Sequence, residues 1–368
     1  MTPDQVVAFL LDKKLLEVRH VVQGALQIGE VVYRNRSFRV VTTGGPSYFV
    51  KQLVPGEYSA PPLEAALYSR FDAQPPWNRM RAFVPALRLY DAARSVLVLE
   101  LAAPAAQAPG VDAPGADDDF PRIGEAWARA LAACHDIIAA LDGPADWAFL
   151  PSEPAWSLDV TRPVPDALQD MSAGQLHLLR ALQAEPDVDG LLDRLRGLWR
   201  ATSLIHGDVK WSNVLIHIAA AGDGPPRTLL VDWEMASLGD PAWDVGAVLH
   251  SYLAHAIVSV PTEEDITPAA AAAAFEAALP AIHPEVRTFW RTYTREAGVV
   301  GRPAALFLDK CTGYCAARLL HTAYEWSQQE AEAPRRALAA LQIGLNLLRQ
   351  PEAGRVALLG LGERSQVA

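Results

Sequence analysis

The chain has 368 residues, 51% of them hydrophobic and 20% charged, a make-up that excludes a wholly disordered protein and leaves length for two domains. A formal net charge of −11 at pH 7 argues against nonspecific binding to nucleic acid or to an anionic membrane, and suits a cationic small molecule or a basic peptide better. Three cysteines, Cys134, Cys311 and Cys315, are too few and too odd in number for a disulfide framework; they fit a reducing compartment and read as small buried hydrophobes.

The N-terminal "MTPDQVVAFLLDKK" carries an acidic residue ahead of a short apolar run and has no small-residue cleavage site, so it is unlike a signal peptide, and the expectation is a cytoplasmic protein. "VVYRNRSFRVVTT" and "SYFVKQLV" are rich in Val, Thr, Tyr and Phe and are separated by "GGP", which predicts a β hairpin. "PLEAALYSRF" predicts a short helix that opens on prolines, and "RSVLVLELA" a buried strand. Residues 102–119, "AAPAAQAPGVDAPGADDD", form a flexible connection by composition.

Beyond that point the pattern is mainly helical, with long amphipathic stretches in "IGEAWARALAACHDIIAAL" and "GLLDRLRGLWRA". "SNVLIHI" and "RTLLVDWE" predict a second hairpin around the Gly/Pro-rich "AAGDGPPR". Residues 245–262 contain no Asp, Glu, Lys or Arg, but their two histidines, two serines, tyrosine and proline fit a buried helix better than a membrane span. "PAAAAAAFEAALP" predicts a helix on propensity alone. The expected organisation is α+β: a small β-rich lobe over 1–101, a linker over 102–119, and a larger helical lobe over 120–368.

Within "HGDVKWSNVLI", residues 206–216, Asp208 and Asn213 stand five apart, and Asp232 follows the apolar run "TLLV" nineteen residues later. If the two apolar runs pair, Asn213 opens one strand and Asp232 closes the other, so both oxygen-bearing side chains emerge at one end. Hard divalent cations such as Mg²⁺ take oxygen ligands, and a remaining carboxylate can align a hydroxyl and accept its proton. The spacing matches H-x-D-x-x-x-x-N followed by D-x-x.

With "LLVDWEMASLGDPAWDVGAVL", this segment resembles the aminoglycoside phosphotransferase and choline kinase-like family, which shares the bilobal protein-kinase-like fold: a small antiparallel β-rich N-lobe and a larger, mainly helical C-lobe. The resemblance implies that Asp208 is the catalytic base, Asn213 and Asp232 the magnesium ligands, His206 an orienter of the loop and Asp244 its support. Glu234 is open to either a second ion or a solvated role. Lys210 departs from the family's common "HGDLHxxN" and, as in serine/threonine protein kinases, would meet the transferred phosphate.

A kinase reading also requires a strand lysine and a helical glutamate to hold it. Lys51 in "SYFVKQL" and Glu64 in "PLEAALYSRF" supply both, with Glu57 as the rival partner. The nucleotide-covering loop lacks G-x-G-x-x-G, so Asn35 and Ser37 are its candidates, while "VLVLELA" would set Glu100 to Ala102 beside adenine. The implied cofactors are ATP and Mg²⁺. The implied acceptor is a hydroxyl-bearing small molecule; the acidic chain is compatible with a cationic one, with Glu263, Glu264, Asp265, Asp309 and Glu325 as candidate pocket acids. A Ser/Thr peptide kinase of natural-product biosynthesis working with a partner protein, and a nucleotide-binding pseudokinase, are the alternatives.

Overall fold

The computed structural model describes residues 1–32, 36–52, 61–73, 75–101, 105–107, 121–217, 227–261 and 266–362. The chain divides into two compact units, one made of Met1–Ala108 with Asn213–Ala236, the other of Pro109–Ser212 with Ser237–Ala368. In chain order the elements begin with helices α1 (Pro3–Asp12) and α2 (Val18–Val22) and strands β1 (Leu26–Val32), β2 (Arg36–Thr42) and β3 (Tyr48–Gln52). Helix α3 (Pro61–Ala73) and strands β4 (Leu87–Asp91), β5 (Val96–Glu100) and β6 (Ala105–Gln107) follow. Next come helices α4 (Pro121–His135), α5 (Pro165–Gln169), α6 (Ala173–Gln183) and α7 (Val188–Gly197), then strands β7 (Ser203–Ile205), β8 (Val214–His217), β9 (Arg227–Leu230) and β10 (Ser237–Gly239). Helices α8 (Pro241–Val258), α9 (Pro268–Glu296), α10 (Arg302–Trp326), α11 (Arg335–Arg349) and α12 (Pro351–Leu359) complete the chain.

In the first unit, β1 to β5 form an antiparallel sheet in the order β1-β2-β3-β5-β4. Phe38 and Val40 of β2, Tyr48 and Val50 of β3 and Val96 and Val98 of β5 share one face, which Val6, Phe9 and Leu10 of α1 cover. Because side chains alternate along a strand, Lys51 must leave from the opposite face. The register sets Ser37 of β2 and Leu97 of β5 directly beside it. A three-stranded sheet, β6-β8-β9, completes this unit.

In the second unit, α8 packs on both α9 and α10, and every residue from 242 to 254 is buried. That accounts for the nearly charge-free stretch: a helix apolar all round is one enclosed on all sides. Among the described residues no helix is long and apolar enough to cross a membrane. Gly246 permits the close crossing of α8 and α10, since a Cβ there would lie 2.7 Å from the Cys311 carbonyl oxygen and 2.9 Å from the Cys315 nitrogen.

Three elements differ from the sequence expectation. The short strand β6 falls within 102–119, expected as a flexible connection, and pairs antiparallel with β8. The alanine-rich helix does not stop at Pro280 but runs on through Pro284 to Glu296, held by the burial of Ile282, Val286, Phe289, Trp290 and Tyr293, which outweighs two missing backbone donors. Conversely, α4 ends at His135 rather than running through "IIAAL". The Asp136 amide still reaches the Ala132 carbonyl, but the Ile137 amide turns to Cys134, and the chain tightens into a 3₁₀ turn over Ile138–Ala140. All three cysteines are free and buried, and burial pushes their thiols up from the ordinary value.

Candidate active site

The first unit gathers three carboxylates around one ammonium. Lys51 is 6% exposed, and its Nζ donates to Glu64 Oε2 at 2.9 Å, to Asp232 Oδ1 at 2.5 Å and to Glu234 Oε2 at 3.1 Å. Glu64 comes from α3, where it is 1% exposed, and its other oxygen accepts the Trp233 amide at 3.3 Å. The Trp233 ring packs edge-on against Phe71 of α3 and its Nε1 donates to the Leu230 carbonyl, so the aromatic residue between the two acids locks them to the helix that carries Glu64.

Asp232 itself adopts a left-handed backbone, φ 67° and ψ 63°. Aspartate tolerates that region better than most residues, at a penalty of roughly 1 kcal/mol, and such strain tends to collect at functional sites. Burial would lower the Lys51 pKa, but Glu64, Asp232 and Glu234 outweigh it and raise it, so Lys51 remains an ammonium. Burial pushes the Glu64 carboxyl above its ordinary value, with Lys51 opposing.

Ligand oxygens of Glu64, Asp232 and Glu234 lie within 4.8 Å of one another, a spacing suited to a metal ion. With both Glu64 oxygens engaged by Lys51 and Trp233, Asp232 and Glu234 are the pair best placed to change partner. Asn213 stands at the same end of the β8–β9 hairpin as Asp232: Val214 pairs with Leu230, and the Asn213 carbonyl accepts the Val231 amide at 3.0 Å. Ser37 is buried inside β2 beside Lys51 rather than in a loop. The Glu100 amide donates to Ala86 and the Leu101 amide to Ser47. Asn35, Glu57, Ala102 and Glu263 to Asp265 lie outside the described residues.

The second unit holds the loop that carries Asp208. Asp244, fully buried on α8, accepts the His206 amide at 2.7 Å on one oxygen and the Gly207 amide at 3.0 Å on the other, while His135 Nε2 lies 3.2 Å from it. Trp243 Nε1 donates to the Gly207 carbonyl at 2.9 Å, and Gly207 has φ 81°, a turn that a side chain would resist. His206 is buried, and its Nδ1 accepts the Asp208 amide at 3.4 Å.

The Asp208 carboxylate is held by two cations: Lys210 Nζ lies 2.8 Å from Oδ2, and Arg318 Nη2 lies 3.3 Å from Oδ1. Burial would raise its pKa, yet Lys210 and Arg318 hold it well below the ordinary carboxylate range. Lys210 also faces Glu325 at 3.9 Å, and His321 Nε2 lies 3.7 Å from the same glutamate. Burial lowers the His321 pKa to about 4, so its ring is neutral at physiological pH.

Of the candidate pocket acids, Glu325 joins this cluster, whereas Asp309 pairs with Arg355. Arg318 and His321 were not among the sequence candidates. Their signal was present: Arg318, His321 and Glu325 stand at i, i+3 and i+7 in an otherwise mostly apolar stretch of α10 and therefore share one helix face.

A family model for the phosphotransferase enzyme family matches residues 28–290. No curated protein sequence matches the chain. Among solved structures, a choline kinase from Cryptosporidium parvum Iowa II is similar at 9% identity and TM-score 0.61, over 97% of this chain and 98% of that one. The choline kinase LicA from Streptococcus pneumoniae is similar at 16% identity and TM-score 0.50, over 92% and 99%. A glucosamine kinase is similar at 19% identity and TM-score 0.50, over 90% and 82%. These likenesses establish the protein-kinase-like fold. With a family model that spans well over half its length, the chain belongs to the phosphotransferase enzyme family, that of the aminoglycoside phosphotransferases and choline kinase-like proteins.

Proposed function

We propose that the protein transfers the γ-phosphate of ATP, with Mg²⁺, to a hydroxyl group of a small molecule. The observation that carries this reading is the buried Lys51 ammonium bound to Glu64 and Asp232 at 2.9 and 2.5 Å, a cation held ready for phosphate beside carboxylates suited to a metal. Similarity to kinases of choline and glucosamine supports a small hydroxyl-bearing acceptor.

In this reading Glu64 keeps Lys51 aimed while the ammonium exchanges Asp232 and Glu234 for nucleotide phosphates. The donor set fits Mg²⁺, because Asp232 and Glu234 offer hard oxygen close together and Asn213 stands at the same hairpin end as Asp232; a bound ion would neutralise phosphate charge. Asp208 aligns the acceptor hydroxyl. As the acceptor oxygen bonds to the γ-phosphorus, the bond from that phosphorus to the leaving ADP oxygen breaks, and the acceptor proton passes to Asp208. A strongly ionised Asp208 is a weak base in the ground state, which suits a loose transition state in which the proton moves late. Lys210 supplies a point charge for the phosphoryl group in flight.

Melting curves with ATP, with and without Mg²⁺, together with ADP release in the presence of small alcohols, test the reading. The parent protein is expected to show a magnesium-dependent rise in melting temperature. Asp208→Asn is expected to keep that rise while transfer falls by about 10²- to 10⁴-fold. Parent-rate transfer by Asp208→Asn removes Asp208 as base, and a parent protein indifferent to Mg²⁺ and nucleotide removes the whole proposal.

A further inference from the structure

The polar face of α10 closes a ring with the loop that carries Asp208. Around it run Asp208 to Lys210 at 2.8 Å, Lys210 to Glu325 at 3.9 Å, Glu325 to His321 at 3.7 Å, His321 Nδ1 to Arg318 Nη1 at 2.8 Å, and Arg318 to Asp208 at 3.3 Å. The ring is uneven. Lys210 is one-third exposed, whereas Arg318 is 2% exposed; among the described residues Asp208 is the one carboxylate that pairs with Arg318 directly, and Glu325 also feels its charge.

A guanidinium only donates, so the His321 nitrogen that receives Arg318 carries no proton, and the ring's Nε2 hydrogen faces Glu325. Ser157 Oγ, 3.1 Å from that same Nδ1, fixes the imidazole further. The Trp243 ring lies 5.9 Å from the Arg318 guanidinium carbon, and Trp243 is also the residue that holds the Gly207 carbonyl. Burying a guanidinium is expensive, and here it sits among a neutral imidazole, an aromatic ring and the Asp208 carboxylate, with the Glu325 carboxylate also attracted to it. A salt bridge built only for stability is poorly served by such a site; one that must not move is well served.

We propose that Arg318 is the positioning residue of the acceptor site: it fixes one oxygen of Asp208 so that Lys210 can leave the other without the carboxylate turning or losing its counter-charge. His321 is the neutral prop that keeps the guanidinium in place. The inference rests on the reading of Asp208 as the acceptor-aligning base. It divides labour between the two cations, with Arg318 static and Lys210 exchangeable toward the phosphoryl group.

The test compares Arg318→Ala, Arg318→Lys and Asp208→Asn in the full chain, with ADP release from Mg²⁺-ATP to water as the assay and a crystal structure of each Arg318 variant. Arg318→Ala is expected to keep its magnesium-dependent nucleotide melting shift, to release ADP about 10- to 100-fold more slowly, and to recover several-fold in low-millimolar guanidinium but not in equal sodium. In its structure the Asp208 carboxylate is expected to be rotated. Arg318→Lys, which keeps the charge but not the fork, is expected to lie between the alanine variant and the parent. A merely structural arginine would show no such rescue.

An Asp208 carboxylate that stays put in both Arg318 variants overturns the inference, and so does parent-rate turnover by both when Asp208→Asn is inactive. Parent-rate turnover by Asp208→Asn instead overturns the reading of the base. If the alanine variant does not fold, the lysine variant and its structure decide the question. If water is too poor an acceptor to give measurable ADP, the position of Asp208 in the variant structures decides it.

Discussion

Lys51 carries three carboxylates at once, and removing it would leave them crowded together with no cation between them. Breaking a buried ion pair from one side costs about 3–5 kcal/mol, and a divalent cation can take over the lost role. Lys51→Met is therefore expected to melt well below the parent protein without metal and to regain part of the loss in millimolar Mg²⁺; a variant that ignores Mg²⁺ would exclude the carboxylates as a metal site. Glu285 is the opposite case, an acid with no cation beside it among the described residues. Its Oε2 accepts the Gly124 amide at 3.2 Å, its Oε1 has no hydrogen-bond partner among the described residues, and burial raises its pKa from 4.5 to about 7. The folded protein thus keeps a proton that the unfolded chain releases as pH rises from about 4.5 to 7, so stability falls across that window and the penalty is complete above it. Glu285→Gln is expected to leave urea stability near pH 4.5 unchanged and to raise it at pH 8 by roughly 1–3 kcal/mol. At this scale the sequence was informative where the pairing ends stand close in the chain, as in "VLIHI" and "TLLVD", whose pairing sets Asn213 and Asp232 at one end of a hairpin. Arg318 was not legible, because its partner lies 110 residues away and only packing brings the two together.

The crossing of α8 and α10 sets the second unit's chemistry, since α8 carries Asp244 and α10 carries Arg318, and both reach the loop of Asp208. Gly246 is a point of close approach, and the atoms a Cβ would meet there are two backbone atoms and the Tyr314 Cβ, which yield less readily than the far end of a flexible side chain. Gly246→Ala is expected to destabilise by about 1–3 kcal/mol, read as a lower melting temperature, and to slow turnover beyond any loss of folded protein, because the helices bearing both props are pushed apart. Unchanged melting would mean that the crossing relaxes without strain. Elements with a clean pattern were legible in advance: the alternation of β2 and β3, the apolar run of β5 and the enclosed α8. The course of α9 was not, because proline rules argue for a stop at Pro280 and only the burial of the following turns explains its continuation.

For the molecule as a whole, bulk charge proved a poor guide to local charge. The excess of acid suggested a cationic acceptor, yet the carboxylate proposed to meet the acceptor is flanked by Lys210 and Arg318. Net charge sums over the entire surface, whereas a site is decided by the few charged groups packed directly against it. Fold class was readable because hydrophobic period changes along the chain from strands to helices. The composition of the first unit was not, since it borrows Asn213–Ala236 from the later half of the chain. That borrowing has a consequence for synthesis on the ribosome. At about 5–20 residues per second, residue 236 follows Ala108 by on the order of ten seconds. Throughout that interval the nascent strands lack β8 and β9, and Lys51 and Glu64 wait without Asp232. The half that is made first is therefore the half that finishes late.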